Sequence, residues 1–243
     1  MTAILRKEIS QFFSSITGYV AVILFLAANG LFLFIFPDTS LFNDGYASLE
    51  RFFQTAPWIF LLLIPAITMR SLSDEWGSGT MELLSTRPVS EMQIVLGKYL
   101  ACVILVLFSL LPTLFYYFTI RALATGGVDN GGIAGSYVGL FLLGSAFAAI
   151  GTWASSLTGH SVVAFLLGVF ACFLVYSGFD ALSHIPALEG GMDYYLQLSG
   201  IQYHYASVSR GVLDLRDIIY FLSLVVLFLY LTRLSLARIK WKA

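Results

Sequence analysis

The residue types that perform chemistry lie outside the apolar blocks of this sequence. Every Asp, Glu, Lys and Arg stands at the end of an apolar block or in a polar segment between two blocks. Ion-coupled transporters and intramembrane enzymes need such residues within their spans, because a proton relay or a catalytic base must meet its substrate at that depth. His160, His184 and His204 also lie outside the blocks without metal-ligand spacing, so we expect surface histidines. The sequence therefore predicts no catalytic, cofactor-binding or metal-binding residue.

Sequence motifs for nucleotide chemistry are missing as well. Gly97-Lys98 lacks the upstream glycine that a phosphate-binding loop needs, and the chain contains neither HExxH nor a nucleophile elbow. No run of Lys and Arg with interleaved aromatic residues indicates a nucleic-acid groove, and the formal net charge is −1. Cys102 and Cys172 lie inside apolar blocks and indicate neither a disulfide framework nor a metal site.

The polar segment over residues 75–90 has the local features of a separate short helix. Gly77 and Gly79 break any helix that leaves the preceding apolar block, and Pro88 prevents a helix from continuing. Between these points residues 80–86 can form about two helical turns. The sequence therefore predicts a short helix that is isolated from both flanking blocks.

The side chains of this short helix suit contact with a partner. Met81, Leu83 and Leu84 supply an apolar anchor, while Glu82 and Arg87 supply charged side chains long enough to contact a partner. This is the pattern of a helix that docks in a groove on another protein. An ordinary loop with one helical turn is the alternative interpretation.

The elements that would position this segment are membrane-spanning helices. Of 243 residues, 58% are hydrophobic and 11% are charged, against roughly 25% charged in an ordinary soluble domain, and the mean hydropathy is +0.86. Blocks near the length that a bilayer requires predict six spans, at residues 16–36, 53–69, 95–120, 136–157, 162–179 and 218–236. Ser90 with Gln93 forms a capping box at the entry to the third span. We expect an all-α integral membrane protein with one membrane domain over residues 1–243.

The N-terminal residues precede the first span as a separate element. Residues 2–13 place apolar side chains on one side of a helix and polar ones on the other, which predicts an amphipathic helix in the membrane interface. The first apolar block has no small-x-small cleavage pattern after it, so we expect it to remain as the first span.

Basic residues are distributed unequally between the two sides of such a bundle. Six spans put both termini on one side, together with the segment after span 2 and the turn at residues 158–160. Nine of the 13 Lys and Arg residues fall on that side: Arg6, Lys7, Arg70, Arg87, Lys98, Arg233, Arg238, Lys240 and Lys242. The other side keeps Arg51, Arg121, Arg210 and Arg216. The positive-inside rule makes the first side cytoplasmic, with both termini and residues 75–90.

Two further patterns concern packing and the outer surface. Span 4 carries a face of small residues that permits close helix approach, for which we favour packing within one subunit over a dimer face: Gly135, Ser136, Gly139, Gly144, Ala148, Gly151 and Ser155. Residues 194–212 mix four tyrosines with polar residues, as an interfacial hairpin or an aromatic anchor would.

The polar segment also carries a family resemblance. From Glu75 the sequence reads EWGSGTMELLSTRPVS, and from Ile94 it continues IVLGKYL. It resembles the ABC-2 type exporter permeases, whose signature between spans 2 and 3 is E-x-x-x-G-T-x-E-L-L-x-x-x-P-V-S, followed by a G-K-Y/F opening of span 3. The resemblance extends over the whole chain through the six spans, the interfacial helix and the long outer segment before span 6. Within the family the chain is most similar to the gliding-motility-associated permeases.

The resemblance implies a type V exporter-like fold with a cytoplasmic coupling helix and an outer re-entrant segment. It implies a bacterial inner-membrane permease whose partners are an ABC ATPase, which binds ATP and Mg, and a second permease chain in a homodimer or heterodimer. The residues that it assigns to ATPase coupling are Glu75, Gly79, Thr80, Met81, Glu82, Leu83, Leu84, Arg87 and Pro88.

Other classes of function remain open at the level of sequence. A channel or secondary transporter that works alone is one alternative, although the lack of charges inside the spans disfavours an ion-coupled transporter. A membrane scaffold for a motility or secretion apparatus is another. Spans lined by Phe, Leu, Tyr and small residues suit a lipid, a lipopeptide, an apolar drug or a polymer, and no residue selects among these substrates.

Overall fold

The computed structural model of the protein describes residues 2–36, 48–80, 90–124, 127–185 and 191–240. Within those ranges the chain is helical and contains no β-strand. The helices are α1 (Thr2–Ser14), α2 (Ile16–Phe34), α3 (Glu50–Thr68), α4 (Arg70–Gly77), α5 (Glu91–Leu110), α6 (Leu114–Leu123), α7 (Asn130–Ser155), α8 (Ser161–Phe173), α9 (Phe179–Ser183), α10 (Met192–Ser199), α11 (Ile201–Val208) and α12 (Leu215–Lys240). A 3₁₀ turn at Leu111–Thr113 joins α5 to α6, and a π turn at Leu174–Gly178 joins α8 to α9.

Five helical stretches in the described ranges are long and apolar enough to cross a membrane: Glu50–Gly77, Glu91–Leu123, Asn130–Ser155, Ser161–Ser183 and Leu215–Ala237. The pair Ile4–Ser14 and Gly18–Phe34 passes the same test only together and is bent by 68°, so it counts as a sixth span only if the bent pair is one unit. An all-helical membrane protein with five to six spans agrees with the sequence prediction at this level.

The helix through α3 and α4 is longer than the span predicted at residues 53–69. The two helices meet at Met69, and there the hydroxyl of Ser155 on α7 accepts hydrogen bonds from Leu72 N at 2.9 Å and Ser73 N at 3.0 Å. The same hydroxyl donates to Met69 O at 3.0 Å. The Ser155 side chain of α7 thus pairs with backbone groups at the junction between α3 and α4. Because this contact is tertiary, the apolar pattern of α3 alone did not indicate the extension.

The central element of the bundle is α7, which packs against α3, α8 and α12. Its small residues are buried against neighbouring helices of the same chain: a Cβ added at Gly144 would lie 2.6 Å from a methyl carbon of Val106. Gly151 faces Thr68 of α3 in the same way. The expectation that this face packs within one subunit is therefore confirmed for these positions. The outer faces of α8 and α12 expose large apolar side chains, as lipid-facing helices do.

The bundle has two distinct ends. At one, which we call the α1 end, the tip of α4 lies against the turn at residue 159, and Ser235 Oγ of α12 donates to Ser156 O at 3.0 Å. At the other, which we call the hairpin end, the short helices α10 and α11 are joined at Gly200 into a segment that we call the α10–α11 hairpin, after the hairpin predicted there. Ser136 Oγ of α7 donates to Ser209 O at 2.8 Å at this end. The α1 end thus collects the segments that charge asymmetry assigns to a common side.

Candidate functional site

The structure describes only part of the predicted coupling segment. Glu75 lies on α4, and Gly79 and Thr80 follow the end of that helix. The other residues predicted for ATPase coupling lie outside the described residues: Met81, Glu82, Leu83, Leu84, Arg87 and Pro88. The site is therefore built from the positions at which the chain enters and leaves this segment.

The entry to the segment is a well-defined helix end. Ser78 N donates to Asp74 O at 3.0 Å, and Gly79, with a φ of +70°, turns the chain out of the helical direction. Glycine adopts this left-handed conformation without the steric cost that a Cβ would add. Gly77 lies so close to the turn between α7 and α8 that an added Cβ would stand 2.7 Å from Gly159 O. The sequence expectation that Gly77 and Gly79 end a helix is confirmed, although the helix that they end is α4.

The exit from the segment is capped as expected. Gln93 N donates to Ser90 Oγ at 3.3 Å, and Ser90 N donates to the Gln93 side chain at 3.2 Å, so the capping box at the start of α5 is confirmed. Gln93 N also donates to Ser90 O at 2.9 Å, and the second bond satisfies the N–H of the residue that precedes the helix.

Glu75 lies in a cluster of charged side chains centred on Lys98 of α5. The Lys98 side chain is only 2% exposed, and its Nζ lies 2.9 Å from Glu8 Oε1 and 3.0 Å from Glu75 Oε1. The same ammonium donates to Ser71 O on α4. A lysine ammonium has three N–H donors, and these three acceptors can use all of them. One buried cation thereby ties α1, α4 and α5 together.

The charges of this cluster balance with the help of a lysine at its edge. Lys7 Nζ lies 3.4 Å from Glu75 Oε1, but its side chain is 61% exposed. Exposed ion pairs contribute little, whereas removing one partner of a buried pair leaves an uncompensated charge at a cost of about 3–5 kcal/mol. Lys98 is therefore the member on which the cluster depends.

Two polar atoms beside the cluster are buried without a hydrogen-bond partner in the described part of the chain. They are Glu75 Oε2 and Trp76 Nε1, on successive residues of α4. Buried polar groups normally have partners, and each one without a partner calls for an explanation. Glu75 and Trp76 lie five and four residues before Thr80, the last described residue before the undescribed part of the segment.

Sequence reasoning placed all three histidines at the surface, and for His204 that expectation is wrong. His160 and His184 are exposed, but His204 on α11 is buried, with its Nδ1 2.7 Å from Asp217 Oδ1 and its Nε2 2.9 Å from Leu198 O. The ring also stacks on Tyr220 of α12 with a centroid distance of 3.9 Å. The prediction was wrong because it assumed that residues between two spans are exposed. His204 lies between two spans, but α11 packs against the bundle.

Sequence reasoning also passed over Lys98 and Glu8 as site residues. The available signal was a lysine directly after Gly97, inside the helix that begins at Glu91. A lysine at the edge of an apolar span needs an anionic partner or access to water. Which carboxylates supply the partner depends on how α1 folds back over α5, and only the structure gives that contact.

Comparison with known protein families identifies the family to which the chain belongs. A family model described as ABC-2 family transporter protein matches residues 2–239. Because that match covers nearly the whole chain, the protein belongs to the ABC-2 transporter family. It is a membrane permease component of an ABC transporter and not itself the catalytic subunit, and the family implies an ABC ATPase partner. None of the curated proteins matches the sequence.

Proposed function

We propose that this protein is the permease subunit of an ATP-driven exporter and that residues 75–90 couple it to its ATPase. Two permease chains form the membrane pathway, and two ATPase chains bind ATP and Mg. The complex works in a bacterial inner membrane with the α1 end in the cytoplasm, as part of a gliding-motility or secretion system.

The observation that carries this proposal is the position of Glu75. It stands at the base of the coupling segment and shares the buried Lys98 with Glu8. A displacement of α4 would therefore be transmitted to the spanning helix α5 and to α1 through one charge cluster. The positive φ of Gly79 separates the segment from α4, so that a docked partner can hold it as a unit.

The unpaired atoms beside Glu75 support the same proposal. Glu75 Oε2 and Trp76 Nε1 supply one acceptor and one donor that no described residue uses. Residues of the coupling segment or of a docked ATPase would satisfy both groups. A permease that completes this site by binding its partner needs such open hydrogen-bonding positions.

The test changes the coupling segment without touching the described core. Glu82→Arg reverses a charge, and Leu84→Asp would place a carboxylate in the docking groove, where an unpaired buried charge costs several kcal/mol. We expect both variants to reach the membrane at normal levels while the ATPase no longer copurifies or loses its regulation, and transport stops. Glu50→Arg and Leu213→Asp are matched controls, since both side chains are exposed at the hairpin end. Normal ATPase association and normal transport in both coupling variants would show that residues 75–90 only connect two helices.

Orientation and assembly are tested separately. Single cysteines at positions 44, 129 and 193 should react with an impermeant thiol reagent in intact cells, and a cysteine at position 82 should not. The native Cys102 and Cys172 are buried and give little background. Labelling at position 82 without labelling at position 129 would show that the orientation in the membrane is the opposite of the proposed one. A purified complex whose mass allows only one permease chain would refute the paired assembly.

A further inference from the structure

A cavity of about 130 Å³ lies at the α1 end, where α1 and the start of α2 meet α3, α4 and α5. One part of its lining is polar and includes Gln11, Arg70 and Ser71. The other part is apolar and includes Phe12 and Leu105. Gln11 and Arg70 are exposed, so the polar part opens at the surface of the bundle.

The polar part of this cavity contains unused hydrogen-bonding capacity. Ser71 is 7% exposed, and its Oγ is buried with no partner among the described residues. Its carbonyl oxygen already accepts from Lys98, which fixes the backbone at this position. No described residue pairs with the guanidinium of Arg70. Ser71 and Arg70 are neighbouring residues, and both line a space that the protein does not fill.

Charge identifies the kind of group that would fill the space. Glu8 and Arg70 are the charged residues of the lining, and Lys98 neutralises Glu8 at 2.9 Å. Arg70 is thus the charged residue of the lining that has no ionic partner among the described residues. A guanidinium binds a phosphate or carboxylate through two parallel hydrogen bonds, and a serine hydroxyl adds a third donor.

Size and position narrow the choice to a lipid phosphate. A volume of about 130 Å³ is well above what a single water molecule needs, and it can hold a phosphodiester group. α1 is the amphipathic element at the membrane interface, where phospholipid headgroups lie. The apolar lining at Phe12 and Leu105 would contact the glycerol and the first methylene groups of such a lipid.

We infer that this cavity binds the phosphate of a phospholipid headgroup, with Arg70 and Ser71 as its donors. The bound lipid would brace α1 against α3, α4 and α5 directly beside the Lys98 cluster. The inference rests on the membrane location of the protein and is independent of whether residues 75–90 bind an ATPase.

The test measures lipid binding to the purified, delipidated protein in detergent with its copurifying subunits, by native mass spectrometry. Three probes separate the sources of affinity: dioctanoyl phosphatidylglycerol, dioctanoylglycerol without phosphate, and inorganic phosphate. We expect the phospholipid to bind and the other two to bind at least about tenfold more weakly. Equal binding of dioctanoylglycerol would show an apolar groove only, and equal binding of inorganic phosphate would show a free-anion site. Either result overturns the inference.

Variants assign the binding to this cavity. Arg70→Gln should weaken phosphatidylglycerol binding by about tenfold, because a charge-assisted hydrogen-bonded pair is lost. Ser71→Ala should weaken it by a few fold and is small enough to leave the fold intact. Arg121→Gln on α6 is the matched control, since it removes an exposed arginine elsewhere on the bundle. Unchanged affinity in both Arg70→Gln and Ser71→Ala would overturn the assignment.

Discussion

At the α1 end a flexible lysine holds two carboxylates, whereas at the hairpin end a histidine ring is fixed on every side. Lys98 connects three helices through one ammonium group. His204 has a hydrogen bond at each ring nitrogen and stacks on Tyr220. Next to it Tyr205 Oη donates to Phe53 O at 2.7 Å, which holds α11 against α3.

The two ends also differ in what they leave unpaired. Ser71 Oγ, Glu75 Oε2 and Trp76 Nε1 are buried without partners at the α1 end, while Gln202 Oε1 is the corresponding atom of the α10–α11 hairpin in the described ranges. A site with open hydrogen-bonding positions is suited to receive another molecule. The α1 end therefore keeps more open hydrogen-bonding atoms than the hairpin end in the part of the chain that the structure describes.

The largest expected effect comes from removing the buried lysine. Lys98→Ala leaves the carboxylates of Glu8 and Glu75 close together with only the exposed Lys7 beside them, which should destabilise the membrane domain by about 3–5 kcal/mol. The measurement is the thermal unfolding midpoint in detergent, with membrane levels as a second readout. Lys7→Ala is the control, because its exposed ion pair should contribute less than about 1 kcal/mol. Equal, small effects of both substitutions would mean that the cluster is not a structural centre.

The hairpin end should respond to loss of its histidine locally. His204→Phe preserves an aromatic ring against Tyr220 but leaves Asp217 and the Leu198 carbonyl unpaired, at a cost of about 1.5–3 kcal/mol for hydrogen bonds to a charged group. Amide hydrogen exchange should accelerate over residues 192–208 and remain unchanged in α5. His160→Phe, at an exposed histidine, should change neither region. Accelerated exchange across the whole bundle would show that the hairpin is not a separate unit.

A third substitution tests how closely the hairpin end is packed. A Cβ at Gly135 of α7 would meet the backbone of Gly211, which cannot move aside as a side chain can. Gly135→Ala should therefore cost about 1–3 kcal/mol, the range for an overpacked core. Gly30→Ala is the control, since its nearest neighbour is 3.9 Å away and alanine favours a helix. A stabilising effect at both glycines would show that the turn at residue 211 adjusts freely.

Composition and hydrophobic blocks were sufficient to predict the helical membrane class, and the motif at residues 75–90 was sufficient for the family. These signals are local, since a block of apolar residues near bilayer length needs no partner to be recognised. The capping box at Ser90 was predictable for the same reason, because both of its residues lie within one helical turn.

The site itself required contacts between distant parts of the chain. Lys98 and Glu8 are 90 positions apart, and their pairing depends on α1 folding back over α5. The prediction that His204 is exposed was wrong because a polar segment between spans was assumed to lie at the surface. Hydrophobic periodicity reports which faces are apolar, but it does not report where a polar hairpin packs.

The smallest expected effect compares two helix caps, one at each end of the molecule. Ser90 Oγ accepts from Gln93 N at the start of α5, and Asp129 Oδ1 accepts from Gly132 N at 3.0 Å at the start of α7. Replacing either by alanine should cost about 1 kcal/mol, the typical value of an N-cap. Ser90 is the last residue of the proposed coupling segment, so fraying of the first turn of α5 there should also loosen the link between ATPase and membrane domain. We therefore expect similar shifts in unfolding midpoint but reduced ATP-dependent transport for Ser90→Ala alone, with Ser90→Asp restoring it as an alternative cap. Equal loss of transport in Asp129→Ala would remove the functional distinction between the two ends.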